Sequence, residues 1–249
     1  MHKTLLAFAT GALALAGFAF ASSAETRREA APAGGEPVLL ELFTSQGCSS
    51  CPPADRLASE LARDPALVVI SRPVTYWDRL GWKDTLARED NTELQRAYAR
   101  AGLAGQNGVY TPQLVIDGRF GAVGSGADEV TRGIARHGGK GGAAIRVRDL
   151  GAEGFAVGVA GVAQRPAELV LVAVGRRSVV DIARGENGGR AIEYVNVVRD
   201  ERRLTGWRGG QANLVIAPAQ LQVQGADAYA LVLREGGGGR VLAAGWLGQ

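Results

Sequence analysis

The chain has 249 residues, 46% hydrophobic and 21% charged, the balance of an ordinary globular protein with one large or two small domains. The formal net charge is only +3, with Lys and Arg scattered among Asp and Glu, which leaves no footprint for nucleic acid. Glycine is abundant, at 36 residues, and its concentration in the second half favours turns and short strands there.

Lys3 gives the N-terminus a positive charge, residues 4–21 are almost unbroken apolar, and Ser22-Ser23-Ala24 supplies small residues for cleavage. This pattern predicts a signal peptide over residues 1–24, with Glu25 as the first mature residue and 25–36 as a flexible lead-in. An uncleaved anchor is the alternative, but the apolar core at 5–20 is shorter than the ~20 residues a span needs. The protein is therefore expected to be periplasmic or secreted, meeting the membrane only through this segment before cleavage. Outside the cytosol a cysteine pair can be oxidised, reduced or cycled.

An apolar run at 38–43 reads as a buried strand. Both cysteines follow it, Cys48 and Cys51 in C-x-x-C spacing, and residues 54–63 have helical spacing. Strand, tight turn with C-x-x-C, then helix is the layout of a thioredoxin-like redox site. Pro52 and Pro53 suit a first helical turn, where a missing N–H has no helical partner to lose. A second apolar run at 67–71 predicts another strand, ended by Pro73. The aromatic stretch at 76–84 has no clean period and reads as a loop or short irregular helix. Residues 90–101 form a helix with Leu94, Ala97, Tyr98 and Ala101 on one face, ended by Gly102 and Gly105. A strand at 114–116, the hairpin signal Asp117-Gly118, a return strand at 119–123 and a helix at 127–136 follow.

That order is the thioredoxin core order, with extra material before Pro112. Residues 37–137 are assigned to this domain and 138–142 to a Gly-rich linker. About seven short strands beyond it, in 143–249, predict a smaller β-rich domain, a sandwich or barrel. The expected fold class is thus α/β, a thioredoxin-like domain followed by a smaller all-β, sandwich-like one. Residues 185–190 read as a tight turn between strands, with Asn and Gly taking positive φ. The alternative is that they sit against the first domain and help form a cleft.

A thiol at a helix start meets unpaired backbone N–H groups and the positive end of the helix dipole, and both favour the thiolate. An unperturbed thiol is ~3% thiolate at pH 7, and lowering its pKa to ~6.5 raises that to roughly 75%. Cys48, the normally exposed first sulfur, is the expected nucleophile and Cys51 the resolving thiol, with a disulfide between them when oxidised. Thr111-Pro112 lies where thioredoxin-like proteins place a cis-proline, so Pro112 joins the cysteines as an expected catalytic element. A trans proline at a strand start is the plain alternative. Glu41, the one charge in its strand, is a candidate proton acceptor for Cys51. Otherwise it faces solvent from an edge or pairs with a nearby Arg. Tyr76, Trp77, Trp82 and Thr111 are candidates for a substrate rim, against plain core packing of the aromatic rings.

Other uses of the sulfurs are weaker. A staple closing so short a loop gains ~2 kcal/mol, against ~4.7 for a loop of a hundred residues. Zinc wants four ligands, and the chain has 2 Cys and 2 His, with His2 in the signal and His137 by the linker. No metal and no cofactor are therefore expected. A two-thiolate Cu(I) site and a degenerate module with an idle pair stay open.

The run from Glu41 through Gln46-Gly47-Cys48-Ser49-Ser50-Cys51-Pro52-Pro53-Ala54-Asp55 resembles the signature of a bacterial secreted family catalogued as a thioredoxin-like domain of unknown function. Tyr76-Trp77-Asp78 with Leu80-Gly81-Trp82 and Asp84, Tyr110-Thr111-Pro112-Gln113 with Asp117-Gly118, and Arg184-Gly185-Glu186-Asn187 with Gly189-Arg190 extend the resemblance over nearly the whole mature chain. It implies a thioredoxin-like fold outside the cytoplasm and supplies no substrate. Pro73-Val74-Thr75 stands where the family often has His-Val-Asp. Against thioredoxins proper, Gly47 replaces a Trp and Ser49-Ser50 replaces Gly-Pro. The leading expectation is an exported thiol–disulfide oxidoreductase acting on protein thiols and disulfides of the cell envelope. The alternative is a non-enzymatic envelope binding protein that holds a partner or Cu(I) through the two thiols.

Overall fold

The computed structural model describes residues 35–248, so the signal peptide expected over 1–24 and most of the lead-in expected over 25–36 lie outside the described residues. In chain order the elements are β1 (Val38–Thr44), α1 (Pro52–Leu61), β2 (Leu67–Pro73), α2 (Glu89–Ala101), β3 (Ala104–Gly105), β4 (Gln113–Ile116), β5 (Phe120–Val123) and α3 (Ala127–His137). Then come β6 (Ala143–Asp149), β7 (Phe155–Gly161), β8 (Ala167–Ile182), β9 (Arg190–Trp207), β10 (Gly210–Ile216), β11 (Ala228–Glu235) and β12 (Val241–Trp246). The protein is a mixed α/β structure with one large sheet and few helices.

β1 is buried along almost its whole length, as an apolar strand covered on both faces must be. It pairs in parallel with β2 and antiparallel with β4, whose own partner β5 follows through the Asp117–Gly118 turn. Both turn residues have positive φ, which Asp tolerates and Gly takes freely. Leu40 and Leu42 face α1 and α3, packing with Ala54, Ala58 and Val130. Phe43 faces the other way, onto Tyr98 of α2 and Val74.

The second half of the chain does not build its own pair of sheets. Nine strands form one sheet, in the order β12-β11-β8-β9-β2-β1-β4-β5-β3, and only β10-β7-β6 stand apart as a second. The junction is narrow, a parallel bridge from Ser71 of β2 to Val197 of β9. The core beside it is shared: Leu39, Val68 and Ile70 pack with Val172, Val174, Ala230 and Val232. Each aliphatic side chain buried in this way contributes about 1.5–3 kcal/mol, which favours joining the halves over leaving two exposed faces. The smaller sheet covers β8 and β11 through Ile145, Val157 and Val159 against Leu169, Leu171, Leu231 and Leu233.

The segment read as a linker, residues 138–142, is packed. Gly139 N–H donates to Asp117 Oδ2 at 2.8 Å, and the backbone of Leu242 lies where a side chain on Gly141 would go. Close backbone approach, not slack, explains the glycines there.

β8 and β9 are far longer than the apolar runs that announce them, 16 and 18 residues. Their hairpin carries residues 183–189 across to the C-x-x-C turn at the end of β1. No helix among the described residues is long and apolar enough to cross a membrane.

Candidate functional site

The C-x-x-C turn joins β1 to α1. Cys48 N–H donates to Ser45 O at 3.1 Å and Cys51 N–H to Cys48 O at 3.2 Å. Cys51 is the N-cap residue of α1, and Pro52 and Pro53 occupy its first turn. The two sulfurs form a disulfide. Cys48 differs from the exposed first sulfur expected of such turns: both cysteines are 0% exposed, while Ser49 and Ser50 between them face solvent.

The turn is held from three sides. The stretch 82–85 holds Gln46: Trp82 Nε1–H donates to Gln46 Oε1 at 2.8 Å, and Gln46 N–H donates to Asp84 Oδ2 at 2.8 Å. The β8–β9 hairpin tip holds the backbone. Asn187 Nδ2 donates to both Gln46 O and Cys48 O, each at 2.9 Å, and Glu186 Oε2 accepts from Ser49 N–H at 3.1 Å. The loop 185–190 is thus both a turn with positive-φ glycines and a wall of the C-x-x-C turn. On the third side stands Trp77. A side chain on Gly47 would come within 3.3 Å of the Trp77 Cβ, and Trp77 Nε1–H donates to Thr111 Oγ1 at 2.8 Å.

The Thr111–Pro112 peptide bond is cis. Pro112 is buried, and its carbonyl accepts from Gly124 N–H at 2.9 Å. Gly124 in turn lies against Ala54 of α1, so Pro112 borders the first turn of the helix that carries the cysteines. Tyr76 is half-buried beside the Phe43 cluster and Trp82 packs beside Ile182 and Tyr194. The aromatic stretch therefore packs and borders the turn at once.

Glu41 sits elsewhere than a proton acceptor for Cys51 should. Side chains alternate along a strand, so Glu41 points to the α2 face while Leu40, Leu42 and Thr44 point to the α1 face. There it is fully buried between Arg72 Nε and Arg234 Nη2, each 2.7 Å from Oε1, and accepts a hydrogen bond from Tyr98. Burial alone raises its pKa, but Arg234 and Arg72 outweigh that and hold it below the ordinary carboxylate range. Glu41 is a permanently charged member of a structural ion cluster.

The acid beneath the turn is Asp55, which the sequence reading did not single out. It stands four residues after Cys51, on the same face of α1, and is 2% exposed. Thr44 Oγ1–H donates to its Oδ1 at 2.8 Å, and Oδ2 has no partner among the described residues. Burial is the main cause that pushes its pKa up to about 8; the Thr44 hydrogen bond opposes this and the charge of Asp84 adds to it. The hydroxyl of Tyr194 on β9 is likewise buried without a partner, and its pKa is raised by burial, then by Asp55 and Asp84. Asp55, Asp84 and Tyr194 are thus desolvated groups whose charges act on one another. Among the described residues no group of three or more His, Cys, Asp or Glu is placed to hold a metal.

The model of a family described as a protein of unknown function, DUF1223, matches residues 39–234, and the chain belongs to that family. The match spans the cysteines, Asp55, Pro112 and the hairpin tip together. A structural-genomics crystal structure of a protein from Agrobacterium tumefaciens is similar at 28% identity, covering 86% of this chain and 95% of that one, with a TM-score of 0.71. HBP35 of Porphyromonas gingivalis is similar in fold at 12% identity, over 85% of this chain and 74% of that one, with a TM-score of 0.52. No curated protein matches the sequence.

Proposed function

We propose that this protein is an exported thiol–disulfide oxidoreductase, that residues 37–137 are a thioredoxin-like module, and that the β-rich remainder completes its sheet and its site. The observation that carries the reading is a Cys48–Cys51 disulfide at the N-terminus of α1, with a buried acid of raised pKa, Asp55, one helical turn after Cys51. An acid that binds its proton near neutral pH suits proton transfer to and from a thiol. A disulfide that only fastened the turn would need no such group.

The exchange runs in two steps. In the reduced protein the Cys48 thiolate attacks a client disulfide, forming a Cys48–client bond and releasing the other client sulfur as a thiolate. Cys51 then attacks Cys48, losing its thiol proton to Asp55 in its ionised form, which is the minor form at neutral pH. The Cys48–client bond breaks, the client leaves as a second thiolate, and the Cys48–Cys51 disulfide forms. Two electrons have passed from the dithiol to the client; the reverse sequence oxidises a dithiol client. Trp77, Trp82 and Thr111 line the approach for protein thiols of the cell envelope.

The test is a Cys51→Ser variant expressed with its signal segment and recovered from the periplasm under acid quench. The reading predicts mixed disulfides on Cys48 that dithiothreitol releases and that a Cys48→Ser, Cys51→Ser double variant lacks. Absence of any such adduct overturns it, and stoichiometric Cu(I) binding lost on Cys48→Ser would put a metal-binding role in its place.

A further inference from the structure

The redox turn takes part of its structure from residues 137 to 141 positions further along the chain. Asn187 is fully buried and spends both hydrogens of its side-chain amide on Gln46 O and Cys48 O, while its own Oδ1 accepts from Arg190 at 3.1 Å. Glu186 is exposed, yet its carboxylate is fixed on the Ser49 N–H, and hydrogen bonds from Ser49 hold its pKa below the ordinary range. Gly185 packs on Trp82, where an added Cβ would lie 3.2 Å from the Trp82 Cβ. With this loop in place neither sulfur is exposed.

We propose that Glu186 and Asn187 are positioning residues of the redox turn: Asn187 latches the hairpin tip over Cys48, and Glu186 sets a negative charge beside the sulfur that must become a thiolate. Two consequences follow. An attacking thiol needs about 180° of free line behind a sulfur, so the latch must open before Cys48–Cys51 can be reduced. Glu186 also opposes the thiolate, because it brings a negative charge to the turn and occupies the Ser49 N–H, a donor next to Cys48 that would otherwise favour negative charge there. The other titratable or charged groups around the turn are Asp55 and Arg56 on α1, Asp84, Tyr194 on β9, and Arg190, which is bonded to Asn187. None of these is bonded to Glu186, so all keep their partners in Glu186→Gln, whereas Asn187→Ala removes the Arg190 bond to Asn187 Oδ1.

This deepens the exchange reading and rests on it for its biological purpose, but its test uses small reagents and is independent of whether clients exist. In the full chain, dithiothreitol reduces the disulfide: its two thiols close into a cyclic disulfide, and two electrons and two protons pass to Cys48 and Cys51. Asn187→Ala is expected to raise the rate constant of that reduction about ten-fold, the effect of losing two buried hydrogen bonds of about 0.7 kcal/mol each. Glu186→Gln keeps a hydrogen-bond acceptor and removes the charge. It is expected to move the midpoint of the iodoacetamide pH–rate profile of the reduced protein down by about half a unit, a roughly three-fold gain in rate below the midpoint. Glu186→Asp, which restores the charge, should return the profile toward the parent. A Glu186→Gln profile that superimposes on the parent overturns the proposal, as does a reduction rate in folded Asn187→Ala within about two-fold of the parent. If Asn187→Ala does not fold, the Glu186 profile decides alone.

Discussion

Asp55→Asn separates the acid from everything else in the site. The side chain keeps its shape, Thr44 can still donate to the remaining oxygen, and the ionisation is gone. In the folded protein burial raises the Asp55 pKa from the ordinary 3.8 to about 8, while the unfolded chain keeps the ordinary value. Between these two values the folded state holds a proton that the unfolded state has released. The parent is therefore most stable below the unfolded pKa and loses this contribution as pH rises through the folded one. The slope is about 1.4 kcal/mol per pH unit for one proton, so the parent loses about 3 kcal/mol between pH 5 and pH 7 from Asp55 alone. The asparagine side chain of the variant does not titrate. Urea unfolding of the oxidised parent and Asp55→Asn at pH 5, 6, 7 and 8 should give a variant-minus-parent difference that climbs in favour of the variant with each unit and flattens above the folded pKa. Asp117, whose pKa burial also raises, titrates in both proteins and largely cancels in the difference, while Asp84 enters it only through its coupling to Asp55. A difference that stays constant with pH would show that Asp55 is ionised in the folded protein throughout this range, and the raised pKa, with the near-neutral proton exchange built on it, would fall.

The same substitution should slow the second step of exchange. Release of a small-molecule mixed disulfide from Cys48, followed by stopped-flow, is expected to fall by about a hundred-fold at neutral pH, the usual contribution of a positioned base; an unchanged rate would remove Asp55 from the chemistry. Glu41→Gln should behave in the opposite way. It leaves Arg72 and Arg234 buried without their shared carboxylate and should cost about 3–5 kcal/mol in urea unfolding, while dithiothreitol reduces the folded variant at the parental rate. Gly141→Ala drives a Cβ into the backbone of Leu242 and should destabilise by at least about 2 kcal/mol, whereas a flexible linker would absorb it without effect on the urea midpoint.

The C-x-x-C turn between β1 and α1 could be read from sequence because its signals are local: an apolar run, two cysteines at fixed spacing, and prolines that suit the first turn of a helix. The Asp117-Gly118 hairpin is local in the same way. The joining of the halves is not. β8 and β9 continue past their apolar cores through Arg176, Arg177, Arg199 and Arg202, where one edge of the ribbon faces solvent, so a hydrophobic pattern stops before the strands do. Glu41 stood out as a charge in an apolar strand, yet its partners come from the next strand and from Arg234, 193 residues away. Only the fold shows which face of β1 it occupies. Asp55 left a readable trace, an acid one helical turn after Cys51 on the buried side of α1, but among apolar neighbours it passes for an ordinary acid near a helix start. The hairpin tip gave the right residues without their place, since the contact that matters lies 139 residues from Asn187 in sequence, at Cys48.

The equilibrium of the Cys48–Cys51 pair against glutathione tests the central claim most directly. An exchange site predicts a reduction potential between about −120 and −270 mV, where proteins that trade disulfides lie. A value below about −300 mV, with the bond intact in excess reduced glutathione, would mark a structural disulfide and contradict the account.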